Sequence, residues 1–401
     1  MVFFFFIIAL LKGMCMIEFY HIMMHWRTEM SKLSRNYGID LLRVFSIFGV
    51  VVLHILGHGG ILSSATSYGN YCAAYFLEIL AYPAVNCFVL ISGFVGYRGE
   101  KAAPKLQNII SIFFTVLFYS AGICILLQLI TPSFVTLTDI KDSFFPLLTD
   151  QYWFYGCYLG VFLLSPIANT FVYKASAKQL YLSFIVVLFF SFVALETHAF
   201  VLNDGYSVIW FFFLYIAGAA VKKCNIVSKV SGKLCVLTLL AAFLITWLPT
   251  VVFPLTGCAF LLEYATYFVS YDSPTVLLMA VAWVCLFAKH KTCKLEQGVI
   301  SFFSSSAFSV YLIHDNNHIR NLLMLGRFCF ANEYHPILLA LIVAGGAAAV
   351  LVICTLIDKI RIFLFRIIKI APLSEFIENT VKAVIDKGYC IISSWQENAA
   401  E

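Results

Sequence analysis

About ten long apolar runs follow one another along this chain, and they restrict its possible folds more than any other feature. Each holds at least about 15 mostly apolar residues, and a helix needs roughly 20 to cross the hydrocarbon core of a bilayer. The runs are continuous, whereas the strands of a membrane barrel alternate polar and apolar residues. They predict an all-α, polytopic integral membrane protein with about ten transmembrane helices. The predicted spans are about 37–57, 74–96, 106–130, 151–172, 179–197, 205–221, 234–254, 274–288, 299–314 and 336–357.

Composition supports the same class. Hydrophobic residues make up 62% of the chain and charged residues only 12%, against about 25% charged residues in a soluble domain. So few charges cannot cover a water-facing surface, which excludes a soluble enzyme, a disordered protein and a disulfide scaffold. The lipid bilayer is the expected partner, and no nucleic acid is expected. The 13 cysteines are scattered without a Cys-x-x-Cys pair, as expected for small buried apolar side chains.

Charge alternates between the links that join the predicted spans. Lysine and arginine are concentrated in every second link and after the last span, while the other links hold most of the acidic residues. An excess of Lys and Arg marks the cytoplasmic side of a membrane. Both termini are therefore predicted to be cytoplasmic, in a multi-pass protein of the cell's inner (plasma) membrane. The basic links are 97–105, 173–178, 222–233 and 289–294.

The apolar runs divide the chain into three parts. Residues 1–35 are interpreted as an N-terminal extension or a mis-assigned start, because their apolar run is too short to span and no positive charge precedes it. Residues 36–365 form the predicted transmembrane domain. Residues 366–401 are predicted to be a short cytoplasmic tail.

The first span carries a polar stripe. His54 follows Arg43 by eleven positions, so both side chains project from one face of a helix, ~16 Å apart along its axis. Asp40 lies one turn before Arg43 and can pair with it. Ionisable residues inside a span are costly and usually functional. The alternative is that Arg43 extends to the interface while His54 satisfies a buried partner.

Four segments in a fixed order resemble the membrane-bound acyltransferase-3 family. Arg43, ten residues and then His54 resemble the family's signature in "GIDLLRVFSIFGVVVLH" (38–54). The segment "VNCFVLISGFVGYR" (85–98) resembles the second span of the family, and "QYWFYGCYLGVFLLSPIANTF" (151–171) resembles a span that opens on a Trp-Phe pair. "FSVYLIHDNN" (308–317) resembles a late span that ends in Tyr-Leu-x-His. The resemblance covers about residues 35–365.

The resemblance implies transfer of an acyl group, usually acetyl, from coenzyme A to a hydroxyl. The acceptors it implies are sugars of cell-envelope or exported glycans, including lipid-linked sugars. Acyl-CoA would be a donor substrate rather than a permanently bound cofactor. Some members carry a fused extracytoplasmic esterase-like domain; this chain has no room for one, so a stand-alone enzyme or a separate extracytoplasmic partner is expected.

The residue types of the stripe suit that chemistry. His54 is predicted to be the general base that takes the proton of the sugar hydroxyl. An acyl-histidine intermediate is the alternative. Arg43 is expected to position the donor, and Asp40 to orient Arg43.

Further donor contacts are predicted on the cytoplasmic side, at Ser92, Gly93, Arg98, Lys101 and Lys105. The Gly would allow the donor to approach the backbone, and the basic residues would attract CoA phosphates. Packing of small residues between helices and positive-inside sorting are the alternatives.

Acceptor contacts are predicted on the outer side, at Tyr152, Trp153, His314 and Asp315. The aromatic rings would stack on a sugar, and His314 with Asp315 would form a polar wall. An aromatic belt and a water-facing histidine are the alternatives. His54 and His58 have metal-ligand spacing, but the sequence offers no evident third ligand, so no metal site is predicted.

Two other functions fit ten spans with a polar stripe. A secondary transporter or glycan flippase would be expected to show an internal repeat and correspondingly broken spans, and the sequence has neither. A glycan ligase or polymerase independent of coenzyme A would be expected to place its site in an outer loop.

Overall fold

The computed structural model of the chain describes residues 35–99, 105–197 and 201–398. Within these ranges it consists of helices and connecting loops, without a strand. Residues 1–34 of the predicted extension, and the predicted donor residue Lys101, lie outside the described residues.

The described helices follow the predicted spans. In chain order they are α1 (Tyr37–Leu56), α2 (Tyr68–Ala81), α3 (Pro83–Gly96), α4 (Leu106–Ile130), α5 (Leu137–Phe144), α6 (Trp153–Lys174), α7 (Ala177–Thr197), α8 (Val208–Lys223), α9 (Ile226–Lys229), α10 (Gly232–Val252), α11 (Ala259–Glu263), α12 (Pro274–Ala288), α13 (Lys294–Ser304), α14 (Ala307–His314), α15 (Asn317–Leu323), α16 (Pro336–Ile367) and α17 (Ile370–Asn398).

Seven of the described helical segments are long and apolar enough to cross a membrane. They include α1, the α2–α3 pair and α16, while α12 is apolar but shorter. The prediction of a polytopic all-α membrane protein is therefore confirmed. The count of ten spans and the cytoplasmic position of both termini stay predictions.

Two predicted spans are each broken into two helices. The second begins earlier than expected, at Tyr68, and is interrupted at Tyr82, where Pro83 starts α3. Proline has no backbone N–H to donate, so the helical hydrogen-bond pattern is interrupted at Pro83. Tyr82 keeps helical backbone angles, with a φ of −52° and a ψ of −40°, so α2 and α3 together form one apolar segment of 29 residues.

The ninth predicted span is interrupted after Ser304. The ammonium group of Lys359, on α16, donates hydrogen bonds to the carbonyl of Phe302 at 2.5 Å and to the hydroxyls of Ser305 and Ser306 at 2.9 Å each. A broken helix inside a membrane is tolerated only where its freed polar groups find partners. Lys359 supplies partners here, so α14 can take a direction of its own.

Helix α1 lies inside the bundle, packed against α3, α12, α13, α14 and α16. Helices α3 and α8 cross closely through a pair of glycines. A Cβ atom on Gly93 would lie 2.0 Å from the carbonyl oxygen of Tyr215, and one on Gly218 would lie 2.0 Å from that of Leu90. Small residues let membrane helices approach at backbone distance in this way.

Helix α16 extends ten residues beyond the predicted tenth span, to Ile367. Asp358, which is fully buried, accepts hydrogen bonds from the Tyr119 hydroxyl at 2.7 Å and from Arg361 at 2.6 Å. This pairing ties α16 to α4. The predicted tail holds α17, in which Glu378 accepts from the backbone N–H of Gln107 at the start of α4.

Replacing Gly218 by Ala should destabilise the protein by about 3 kcal/mol, because the new methyl group would collide with backbone that cannot move away. Gly345→Ala is the matched control: it also lies in a long helix, its added methyl group would meet no atom within 4 Å, and alanine favours helix. Thermal unfolding in detergent would measure both. Equal unfolding temperatures for the two variants would contradict the close crossing.

The predicted topology places Asn203 outside the cell and Ser228 inside. Single cysteines at these exposed positions, in a chain whose other cysteines are replaced, should react with an impermeant maleimide from opposite sides of the membrane. Labelling of both from the same side would refute the alternation of the links.

Candidate active site

Two histidines from distant parts of the chain meet at the end of α1. His54 lies in the last turn of α1 and His314 ends α14. Their Nδ1 and Nε2 atoms, respectively, are 3.0 Å apart. His314 is 2% exposed, and the His54 side chain is 16% exposed. The first and ninth predicted spans therefore share one polar site.

The hydrogen bonds of His314 assign the tautomers of both rings. Its Nδ1 lies 2.5 Å from the carbonyl oxygen of Val310, which can only accept, so Nδ1 carries the proton. In a neutral ring Nε2 then accepts, and His54 must donate to it from Nδ1. The Nε2 atom of His54 is left unprotonated, with a lone pair that can take a proton or attack a carbonyl carbon.

A carboxylate stands beside this pair. The Oδ1 atom of Asp315 lies 3.6 Å from His54 Nδ1 and 3.2 Å from the guanidinium of Arg320. A second Arg320 nitrogen donates to Asn317 at 2.9 Å. A negative charge near His54 favours the ring when it becomes positive. No role is predicted for Arg320 from the sequence; its position in a polar loop after the Tyr-Leu-x-His segment is the signal that could have pointed to it.

The same carboxylate brings a third possible metal ligand to the two histidines. Ligand atoms of His54, His58 and Asp315 lie within 4.8 Å of one another, although the sequence offered no evident third ligand. Arg320 holds the oxygen that a cation would need, and burial lowers the pKa of His58 while Asp315 opposes that shift. The donor set suits an ion pair better than a metal, and the expectation of no metal stays a prediction.

Tyr152 supports the site and has no free ring face. Predicted to stack on a sugar, it is instead 1% exposed. Its hydroxyl donates to the carbonyl of Leu312 and accepts from the side-chain amide of Asn316, each at 3.0 Å. These bonds fix the backbone on both sides of His314 and Asp315. Tyr152 therefore positions the site in this structure, with packing over its ring, and its direct contact with a sugar stays a prediction.

Trp153 belongs to an aromatic cluster formed with Tyr82, Tyr206 and Tyr271. Its ring centroid lies 4.4 Å from that of Tyr206 and 6.1 Å from that of Tyr271, and the Tyr82 and Tyr271 centroids are 4.8 Å apart. Ring contacts connect the cluster to the histidine site: the centroids of Trp153 and Phe154 are 5.9 Å apart, those of Phe154 and Tyr311 5.8 Å, and those of Tyr311 and His314 6.4 Å. An aromatic surface of this kind suits stacking on a sugar ring, the role predicted for Trp153.

Asp40 pairs with two arginines at the other end of α1. It is 3% exposed and accepts from Arg43, as the one-turn spacing predicts, and also from Arg35. The Arg43 side chain remains 30% exposed. A buried carboxylate thus holds a partly accessible guanidinium, about three helical turns from His54.

The remaining predicted donor residues that the structure describes are Ser92, Gly93, Arg98 and Lys105. The Ser92 hydroxyl donates to the carbonyl of Phe88 at 2.9 Å and lies 3.4 Å from the Tyr158 hydroxyl. Arg98 and Lys105 are exposed. Contact of Gly93 with the α8 backbone accounts for that glycine without a donor. Donor binding by all of these residues stays a prediction.

Comparison with known proteins identifies the family. The acyltransferase-3 family model, described as an acyltransferase domain, matches residues 36–359. No curated protein and no solved structure matches the chain. The family match covers α1, with Arg43 and His54, and the Tyr-Leu-x-His segment that ends at His314. The chain belongs to the acyltransferase-3 family and is a membrane acyltransferase.

Proposed function

We propose that the protein transfers an acyl group, acetyl foremost, from acyl-CoA to a hydroxyl of a cell-envelope or exported glycan. His54 acts as the general base and Arg43 positions the donor. The observation that carries the proposal is the chain of hydrogen bonds from His54 through His314 to the carbonyl of Val310. It sets an unprotonated imidazole nitrogen in a buried site, and such a nitrogen is what a weakly nucleophilic sugar hydroxyl requires.

The side chains of this site, together with acyl-CoA and the acceptor sugar, account for every bond and proton in the transfer. The sugar oxygen bonds to the thioester carbonyl carbon while its proton moves to His54 Nε2. The carbon–sulfur bond then breaks, and the proton passes to the departing CoA sulfur. Asp315, 3.6 Å from the opposite nitrogen, stabilises the positive ring between the two transfers. The same lone pair would serve an acyl-histidine route, which stays the alternative.

The donor would enter from the cytoplasmic side. Arg43 lies ~16 Å from His54 along α1, a separation comparable to an extended pantetheine arm. The exposed Arg98 and Lys105 would hold the anionic phosphates at the membrane surface. The acceptor, a glycan or lipid-linked sugar, would enter from the outer side, in the inner (plasma) membrane of the cell.

The alternative function, a secondary transporter or glycan flippase, is not favoured. The match to an acyltransferase family indicates group transfer. No contact among the described residues indicates a path for transport. A separate extracytoplasmic partner that finishes or presents the glycan is compatible with the proposal.

His54→Ala should lower acyl transfer by about 10²–10⁴-fold, because the lone pair that takes the proton is removed. Transfer of radiolabelled acetyl from acetyl-CoA to the glycan fraction of membranes measures this. His290→Ala, at an exposed histidine between α12 and α13, is the control and should keep full activity. An active, folded His54→Ala protein would exclude both the base and the acyl-histidine route.

Arg43→Lys should raise the KM for acetyl-CoA by at least about tenfold, because an ammonium cannot replace the two-pronged contact of a guanidinium. Arg35→Lys is the matched control, since Arg35 shares the Asp40 carboxylate but is not assigned to the donor. Initial rates at varied acetyl-CoA concentration separate the two. The same KM for both variants would remove Arg43 from donor binding.

A further inference from the structure

An acidic side chain lies within the second predicted span, and the proposed reaction gives it no role. Glu78 is on α2, one turn before Tyr82, whose backbone N–H donates to the Glu78 carbonyl at 2.8 Å. Tyr75, one turn earlier on the same face, packs near Tyr71 with ring centroids 4.6 Å apart. A carboxylate inside an apolar helix is expensive and usually has a purpose. In the sequence, an acidic residue within the apolar segment "FLEIL" (76–80) is the signal that points to this position.

The Glu78 carboxylate lacks a complete set of partners among the described residues. Its Oε2 atom is buried and makes no hydrogen bond. The described ion pairs of the chain involve other carboxylates, so no cation is paired with it. A buried acceptor without a donor costs free energy. That free-energy cost is recovered if a bound molecule supplies a hydrogen-bond donor to Oε2.

The side chains beside this carboxylate are those of the aromatic cluster. Tyr82 follows Glu78 by one helical turn and contacts Tyr271, which contacts Tyr206 at 5.2 Å between centroids. Tyr206 is 43% exposed, and its ring centroid lies 4.4 Å from that of Trp153. Tyr206 is therefore the ring through which a ligand can reach the cluster.

The loops that carry the cluster are firmly fixed. Asn86, which is fully buried, donates to the carbonyl of Tyr271 at 2.7 Å and accepts from the Trp210 indole at 3.2 Å. Gly205 has a φ of 90° and sits so close to Tyr271 that a Cβ atom would lie 2.4 Å from the tyrosine Cβ. The rings are therefore held in place before any ligand arrives, which lowers the entropy cost of binding.

We infer that Glu78 and the aromatic cluster form the subsite that binds the acceptor sugar. The carboxylate accepts hydrogen bonds from ring hydroxyls, and Trp153 with the exposed Tyr206 stacks on the apolar face of the ring, while the buried Tyr271 supports them. This inference rests on the proposed function and extends it, because it names the residues that select the acceptor. Ring contacts from Trp153 through Phe154 and Tyr311 to His314 connect the subsite to the histidine pair, and in the inferred complex one hydroxyl of the bound sugar is turned toward the base.

Glu78→Gln is the first test. In the full chain, purified into nanodiscs, it should raise the KM for the acceptor about tenfold while leaving the KM for acetyl-CoA unchanged, because only a carboxylate accepts from two hydroxyls without presenting N–H groups. The probe is the chemically deacylated envelope glycan of the source cells at varied concentration, with labelled acetyl-CoA. Glu263→Gln, at an exposed glutamate of α11, is the matched control.

Trp153→Leu is the second variant, and it should raise the acceptor KM without changing the donor KM. Thermal unfolding of each variant tests folding independently. An unchanged acceptor KM in folded Glu78→Gln would overturn the subsite and leave the proposed function standing. A wild-type protein that binds acetyl-CoA and acylates no glycan would overturn both.

Discussion

A polar group inside the hydrocarbon of a bilayer must find its partner within the protein, and this constraint organises the described structure. Asp358 is paired with Tyr119 and Arg361, and this ties the last long helix to α4. Asp40 is paired with Arg43 at one end of the first helix. The Tyr119–Asp358 hydrogen bond joins two helices and so fixes which of their faces meet, whereas the Asp40–Arg43 pair lies within one helix and balances a buried charge.

The histidine site follows from the same constraint acting on a broken helix. Lys359 satisfies the polar groups freed between α13 and α14. The break allows α14 to end beside α1, and the Tyr152 hydroxyl then fixes the backbone that carries His314. The hydrogen bond from His54 to His314 is therefore the result of several supporting contacts. Under the proposed function, a base held this firmly needs no rearrangement before it accepts a proton.

In the proposed site, the acceptor side is formed by aromatic rings and one carboxylate. Tyr82 contacts Tyr271, and Asn86 holds the loop of Tyr271 in place. Glu78 takes part in none of the described ion pairs. Under the proposed function, the two ends of the site differ in chemistry: basic groups face the phosphates of the donor, while a carboxylate and rings face the sugar.

Properties that depend on one helix could be predicted from the sequence. Continuous apolar runs determine the helical membrane fold because the width of a bilayer sets the length of a span. The Asp40–Arg43 pair and the shared face of Arg43 and His54 follow from 3.6 residues per turn. The acyltransferase family also follows from short segments whose order and spacing are linear properties of the chain.

Contacts between distant segments were decided only by the tertiary structure. His54 and His314 are separated by 260 positions, and no periodicity relates them. The burial of Tyr152 could not be predicted, because an aromatic residue at a helix end has the same local sequence pattern whether or not packing covers its ring. The sequence around Gly93 likewise does not show whether the glycine lies against a ligand or against a neighbouring helix. Burial and partner identity are properties of the packed bundle, and these determine which polar residues can reach a substrate.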